Sequence, residues 1–248
     1  MKVVLPLLVL ATAAPAAVHR EPPVAVRAEA RVQRAAPVRV AQRADAPALP
    51  TAPLVPPPAP EPAPPEIKGQ NEAAYDNLLA RDPGTKARVL GFESFLKNEG
   101  LADVLPTWQL TRTASDYEKC GGPGFEVAPI EEWQHIADTL RFIKRHVEPV
   151  IGDVEAMSGY RNPELNACAG GAKESAHRRF FALDLVPERP IARQGLIRSI
   201  CAIHEFRGRA YDIGLGFYNG LRFHIDSKGF RKWGPNGKGV TSPCVTGI

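Results

Sequence analysis

One stretch of this chain reads Ser175-Ala176-His177-Arg178-Arg179-Phe180-Phe181-Ala182-Leu183-Asp184, which places a histidine and an aspartate seven positions apart. A second stretch, Phe223-His224-Ile225-Asp226, adds another histidine forty positions after Asp184. A catalytic zinc typically takes three ligands from histidine, aspartate or glutamate and keeps a fourth position for water, which the metal makes acidic. The sequence therefore predicts a zinc site formed by His177, Asp184 and His224.

Both stretches are expected to lie on strands. The apolar run Phe180–Val186 predicts a strand that carries Asp184. Asn219-Gly220 is the dipeptide most typical of a tight hairpin, and it predicts that the runs on either side of it, 213–218 and 221–225, pair with each other. Side chains two positions apart on a strand share a face, so His224 and Asp226 should project to the same side.

Helical periodicity predicts the elements around these strands. The predicted helices cover Asn71–Ala80, Lys86–Asn98, Ile130–Val150 and Ile191–Phe206, and a further strand covers Val154–Tyr160. Asp82-Pro83-Gly84-Thr85 is predicted to break the first two helices apart. The pattern indicates an α+β fold, in which helices flank a small, mostly antiparallel sheet that carries the zinc site.

The amino terminus predicts export. Residues 1–17 have the form of a secretory signal, with a lysine, an apolar run and then small residues, and the run is too short to span a bilayer comfortably. Residues 18–66 are rich in alanine and proline, and with the signal they hold more than half of the 25 prolines, so they predict a disordered linker. Residues 67–248 remain for one folded domain. We expect a secreted or periplasmic monomer with no stable membrane span after signal cleavage.

The charge does not indicate nucleic-acid binding. The formal net charge is +4, and much of the basic excess lies in arginines of the predicted linker. An anionic cell-wall surface is an equally good partner for such a segment.

Four cysteines in an exported chain predict two disulfides. None belongs to a Cys-x-x-Cys pair of the kind that binds structural zinc. Three pairings are possible. We favour Cys120 with Cys168, which would pin a glycine-rich loop beside the histidine motif, and Cys201 with Cys244, which would attach the C-terminal tail to a helix.

Several motifs in order resemble one known family. They are Ser158-Gly159-Tyr160-Arg161, Gly170-Gly171, Ser175-x-His177 with Asp184, and His224-x-Asp226. The set resembles the zinc D-alanyl-D-alanine carboxypeptidases and endopeptidases, peptidoglycan enzymes that share a metal-site fold with lysostaphin-type endopeptidases and the hedgehog signalling domain. The resemblance covers roughly residues 126–235, and it implies that residues 67–248 form a catalytic domain of this type.

The resemblance implies a role for each matching residue. The zinc ligands match His177, Asp184 and His224. Arg161 matches the arginine that holds the scissile carbonyl oxygen or a substrate carboxylate, a task suited to the fixed charge and forked donors of a guanidinium. Tyr160 and Ser175 stand where the family contacts substrate or supports the ligands. We therefore expect zinc-bound water to attack an amide of the peptide stem, with Arg161 and zinc sharing the oxyanion.

The chain departs from the family at two places. Leu221 stands three residues before the last ligand, where family members carry an acidic or histidine base. Asp226 is the natural substitute, and it either accepts the proton of the water or orients the imidazole of His224; Glu174 is a weaker candidate for the base. The pair Phe180-Phe181 replaces a small residue, often glycine, between the first two ligands.

These observations leave three classes of function open. The leading one is an exported zinc peptidase that acts on peptidoglycan peptides. The second, favoured by Leu221, is a non-catalytic peptidoglycan-binding or signalling domain that retains a structural zinc. The third is an extracytoplasmic interaction module whose histidines are incidental, and it predicts no tight metal binding.

Overall fold

A computed structural model describes residues 68–247. The predicted signal and linker, residues 1–17 and 18–66, lie outside the described residues. Within the described part of the chain, no helix is both long enough and apolar enough to cross a membrane.

Five strands form a single sheet. They are β1 (Val154–Ser158), β2 (Ala182–Pro187), β3 (Gly214–Phe217), β4 (Phe223–Asp226) and β5 (Arg231–Trp233). Their order across the sheet is β1-β2-β4-β3-β5. The pairs β1–β2, β2–β4 and β4–β3 are antiparallel, and β5 runs parallel to β3. The prediction of a small, mostly antiparallel sheet is confirmed. β5 was not predicted, because its three residues show no apolar alternation; they are exposed or half-buried.

The helices flank this sheet. The α-helices of residues 68–247 are α1 (Glu72–Arg81), α2 (Pro83–Asn98), α3 (Thr107–Leu110), α4 (Trp133–Phe142), α5 (Glu148–Ile151), α6 (Pro163–Cys168), α7 (Arg193–Arg207) and α8 (Pro243–Thr246). A π-helical segment, Ile143–Val147, joins α4 to α5, and 3₁₀ turns cover Ile130–Glu132, Ala176–Arg179, Gly208–Tyr211 and Gly239–Thr241. The predicted helix over 130–150 is therefore one continuous helical stretch that changes its hydrogen-bonding pattern three times, from 3₁₀ to α, to π and back to α.

The break between α1 and α2 is shorter than predicted. Only Asp82 separates the two helices, and its side chain accepts a hydrogen bond from the Thr85 amide at 3.0 Å. Pro83 opens α2, where its missing N–H costs nothing. The predicted break is therefore confirmed at Asp82, but the other three residues of the segment form the first turn of a capped helix, so α2 begins three residues earlier than predicted.

The strand that carries Asp184 begins two residues later than predicted. Phe180 has a left-handed backbone, with φ of 51°, which ends the 3₁₀ turn and redirects the chain into β2. Its side chain is 1% exposed and packs against Phe92 and Tyr160, with ring centroids 5.7 and 6.2 Å away. Glycine would adopt this conformation without strain, whereas here the burial of an aromatic ring offsets the backbone cost.

Both favoured disulfides are present. Cys120 bonds to Cys168, and Cys201 bonds to Cys244. The first ties the loop between α3 and the 3₁₀ turn Ile130–Glu132 to the end of α6, and the second ties α8 to α7. Two disulfides are typical of proteins from an oxidising, extracytoplasmic compartment.

Candidate metal centre

Three elements bring the predicted ligands together. His177 lies in the 3₁₀ turn Ala176–Arg179, Asp184 in β2 and His224 in β4. The antiparallel register of β2 and β4 places Asp184 directly opposite His224. The Ser175 hydroxyl accepts a hydrogen bond from the His177 amide at 3.3 Å and so caps the turn that presents His177.

The ligand atoms form a small, nearly equilateral triangle. His177 Nε2 lies 3.3 Å from Asp184 Oδ1 and 3.2 Å from His224 Nδ1, and the last two atoms lie 3.0 Å apart. A tetrahedral zinc with ligands at 2.0–2.1 Å requires neighbouring ligand atoms to be about 3.3 Å apart. The exposed fractions of the three residues are 1%, 1% and 4%, respectively. The group can therefore hold a metal ion without rearrangement.

Each ligand is fixed from behind by another group. His177 Nδ1 lies 2.7 Å from the Gly159 carbonyl oxygen, which only accepts, so Nδ1 carries the hydrogen and Nε2 is left bare. His224 Nε2 lies 2.9 Å from an oxygen of Asp226, and donation to that oxygen leaves Nδ1 available as a metal ligand. With the ring hydrogens on these outer nitrogens, three acceptor atoms converge on one point, an arrangement that a cation at its centre stabilises.

The charge balance around the triangle favours a cation. Burial, aided by the charge of Arg161, lowers the pKa of His177 to about 4 and so keeps its ring neutral. Burial alone would raise the pKa of Asp184, but His177 and the Arg222 guanidinium hold it well below its ordinary value. Burial alone would lower the pKa of His224, but hydrogen bonds to Asp184 and Asp226 raise it. Metal binds the neutral imidazole and the carboxylate, so a metal ion at the triangle would take the place of the proton that Asp184 favours on His224.

Asp226 lies behind His224, on the side away from the triangle. It is fully buried and shares its two oxygens among the His224 ring, the Arg231 guanidinium and the Lys228 amide. The two contacts from Arg231 are 2.9 and 2.7 Å long. Burial alone would raise the pKa of Asp226, but its hydrogen bond to His224 and the charges of His224 and Arg231 lower it to about 2.

Arg161 lies close enough to the triangle for its charge to act on His177. Its amide donates to the His177 carbonyl at 3.1 Å, and its charge contributes to the low pKa of His177. Its Nε is buried and has no hydrogen-bond partner among the described residues. Tyr160 is 7% exposed and packs its ring edge-on against Phe180, the residue that ends the turn of His177. Tyr160 therefore supports this turn through Phe180.

No family model, curated protein or solved structure matches the chain. The described residues form an α+β fold with a buried His-Asp-His group that could hold a metal ion.

Sequence reasoning missed two residues that hold Asp184. The Tyr218 hydroxyl donates to Asp184 Oδ1 at 2.9 Å, and Arg222 Nη2 donates to Oδ2 at 2.7 Å. Both residues lie in the connection between β3 and β4, one on each side of Asn219-Gly220. The hairpin signal located this connection but gave no indication that its side chains reach across to β2.

Two glycines on β3 and an aromatic ring on β5 were also missed. A Cβ atom on Gly214 would lie 2.2 Å from Asp226 Oδ2, and one on Gly216 would lie 2.0 Å from the Trp233 ring. Trp233 in turn packs against the His224 imidazole, with ring centroids 5.3 Å apart. The Gly-x-Gly pattern at 214 and 216 was the available signal, because strand glycines mark close approach of other groups.

Proposed function

We propose that this protein is an exported zinc metallopeptidase that hydrolyses amide bonds in peptidoglycan stem peptides, as a D-Ala-D-Ala carboxypeptidase or a crosslink endopeptidase. The observation that carries the proposal is the convergence of His177 Nε2, Asp184 Oδ1 and His224 Nδ1, three bare acceptors spaced for one tetrahedral metal. The resemblance of the ordered motifs to peptidoglycan metallopeptidases supplies the substrate class.

These three residues would hold the zinc, and the remaining groups define its surroundings. When bound, the metal supplies an acidified water and polarises the scissile carbonyl. The unpartnered guanidinium of Arg161 provides a fixed positive charge for the oxyanion that develops on that carbonyl. Ser175 acts through the turn of His177, because its hydroxyl caps that turn.

For Asp226, the contacts support orientation of His224 over acceptance of a proton. A general base works best with a pKa near the operating pH, whereas the pKa of Asp226 is about 2. Its oxygens are already committed to the His224 ring and to Arg231. Glu174 also remains a proposal for the base; it is exposed and lies two residues before Ala176, the first residue of the His177 turn.

Export rests on the predicted signal of residues 1–17, and the two disulfides support it. Peptidoglycan peptides are the proposed partners, with a monomeric enzyme, no nucleic acid and no stable membrane span after signal cleavage.

One observation favours a second function, a non-catalytic peptidoglycan-binding or signalling domain with a structural zinc. All three ligands are at most 4% exposed, and the buried Leu221 stands where family members place a base. A structural site is closed, whereas a catalytic site keeps a position open to water and substrate. Zinc binding alone therefore does not distinguish the two functions.

The test combines metal content with turnover on the full chain. We expect one zinc per chain, its loss in His177→Ala, and a mass change in peptidoglycan fragments that corresponds to released D-alanine or split dimers. Arg161→Gln serves as the matched variant, because it should retain zinc but lose most turnover. Zinc without turnover would support the structural site, and a wild-type chain without zinc would refute both proposals.

A further inference from the structure

A cavity of about 310 Å³ opens beside the turn that carries His177. Four basic residues line it, Lys173, Arg178, Arg179 and Lys228, together with one acidic residue, Glu174. Lining residues from the segment 173–181 face Lys228, which follows β4, so the cavity lies between two segments that are distant in sequence. The proposed zinc chemistry uses none of its charged residues except, as a weaker candidate, Glu174.

Most of this positive charge is uncompensated. Arg179 pairs with Glu132 at 2.9 Å, but Lys173, Arg178 and Lys228 have no carboxylate partner among the described residues. The Lys228 ammonium donates instead to the Glu174 carbonyl oxygen at 2.7 Å. Two of these cations, Arg178 and Lys228, are therefore positioned by contacts with backbone oxygens and have no carboxylate partner among the described residues.

Arg178 is arranged to receive a carboxylate. Its Nη1 donates to the Lys173 carbonyl oxygen, which fastens one end of the guanidinium. Its Nε is buried without a hydrogen-bond partner, and no described residue accepts from Nη2. These two donors form one edge of the guanidinium, and such an edge matches the two oxygens of a carboxylate.

The cavity shares its supports with the metal centre. Ser175 lines the cavity and also caps the turn of His177. Lys228 lines the opposite side, and its amide donates to Asp226 at 2.9 Å. A ligand bound here would therefore lie next to the elements that present His177 and His224.

The remaining wall is apolar. Phe181 lines the cavity, and its ring stacks on His135 with centroids 3.7 Å apart. His135 is in turn fixed by Glu132 at 2.8 Å, so the aromatic pair has a defined position. A flat apolar wall beside a cationic edge suits a ligand that has both methylene groups and a carboxylate.

We infer that this cavity binds an acidic side chain with an aliphatic stem, carried by the peptide whose amide is cut at the metal centre. The carboxylate would pair with the free edge of Arg178 and with Lys228, while the stem would pack on Phe181. The inference rests on the proposed peptidase function for the identity of the ligand. It adds a specificity that the metal centre alone does not provide.

The test uses two fluorescent peptides that end in D-Ala-D-Ala and differ only in an internal glutamate or glutamine. Binding to the zinc-loaded full chain is measured by anisotropy before turnover, and hydrolysis is scored separately. We expect the glutamate peptide to bind more tightly, with a loss of roughly fivefold in Lys228→Gln and roughly twentyfold in Arg178→Gln. The glutamine peptide should bind all of these proteins about equally.

Two further variants control for charge. Glu174→Gln removes the negative charge from the cavity lining and should tighten the glutamate peptide. Lys86→Gln makes the same charge change as Lys228→Gln on the exposed surface of α2 and should have no effect. Equal affinity for the two peptides, or no binding of either at millimolar concentration, would overturn the inference. If the chain binds the glutamate peptide more tightly but hydrolyses neither peptide, the cavity is an acidic-ligand site and the peptidase proposal is refuted. If it hydrolyses both peptides and binds them equally, the peptidase proposal stands and the role of the cavity is refuted.

Discussion

The two sides of the His224 imidazole use the same residue types for different purposes. On each side lies a buried aspartate held by an arginine, Asp184 by Arg222 and Asp226 by Arg231, with a shortest contact of 2.7 Å in both pairs. On the Asp226 side, every close contact joins a donor to an acceptor. On the Asp184 side, the bare nitrogens of two rings and a carboxylate oxygen face each other. The arrangement of hydrogens therefore decides which side can bind a cation.

The largest expected effect comes from the Asp184 side. Asp184→Asn keeps the size of the side chain but removes the negative charge and one ligand atom, so stoichiometric zinc should be lost. Metal analysis of the purified chain measures this loss, and the thermal unfolding midpoint of the metal-free protein controls for folding. Retention of one zinc per chain in this variant would contradict the assigned triangle.

In the metal-free protein, His177 and Asp226 should change the stability of the fold in different pH ranges. Burial lowers the pKa of His177 from 6.5 to about 4 in the folded state. The unfolded chain therefore binds this proton more tightly, so the contribution of His177 to stability should fall by roughly 3 kcal/mol as the pH drops from about 6.5 to about 4, whereas His224, whose pKa is raised, contributes in the opposite direction. Asp226 has a folded pKa of about 2 against 3.8 in the unfolded chain, so its contribution should disappear only below about pH 4.

Denaturant unfolding at a series of pH values measures both windows. His177→Gln should flatten the upper window and leave the lower one in place. Asp226→Asn should reduce the lower window, to which the lowered pKa of Asp184 also contributes, and leave the upper one in place. If His177→Gln changed only the lower window, or Asp226→Asn only the upper one, the assignment of the two windows to these residues would be wrong.

Asp226→Asn should weaken zinc binding without abolishing it. Loss of the carboxylate behind a metal-bound histidine typically lowers metal affinity by about 10 to 100-fold. Titration against a competing chelator measures the change. With zinc restored at saturating concentration, turnover should largely recover; a persistent loss of kcat at full zinc occupancy would instead make Asp226 the proton acceptor.

The smallest effects are expected from the arginines. Arg222→Gln and Arg231→Gln should each cost about 1 kcal/mol of stability, because their side chains are 30% and 41% exposed and solvent screens the ion pairs. Arg222→Gln should lower zinc affinity more than Arg231→Gln, since Arg222 contacts a ligand directly. Parallel denaturant and chelator titrations compare them, and the reverse order of zinc affinities would contradict the comparison.

Much of the fold could be read from local patterns. The apolar run over Phe180–Val186 located β2, and Asn219-Gly220 located the connection between β3 and β4. Periodicity located the long helical stretch over 130–151. What these patterns missed were short elements such as β5 and α6, whose few residues present too little apolar surface to give a period.

The candidate site was likewise predicted only in part from the sequence. The three ligands are separated by spacings that a linear motif preserves, so the sequence alone identified His177, Asp184 and His224. It left two roles open for Asp226, because the position of a side chain on a strand does not reveal which ring nitrogen of a neighbouring histidine it meets. The tertiary contacts of His224 and Arg231 supplied that information.

By itself, the sequence determined the class of fold and the candidate metal-binding residues, since both depend on residue type and order. It left three disulfide pairings possible, and the structure contains the favoured one. Only the tertiary structure decided which atoms of those residues converge. It also placed Arg222 and Tyr218 on Asp184 and left Arg178 with a free edge beside the His177 turn. The physical reason is that hydrogen bonding and burial depend on distances between segments far apart in the chain, and local sequence does not encode those distances.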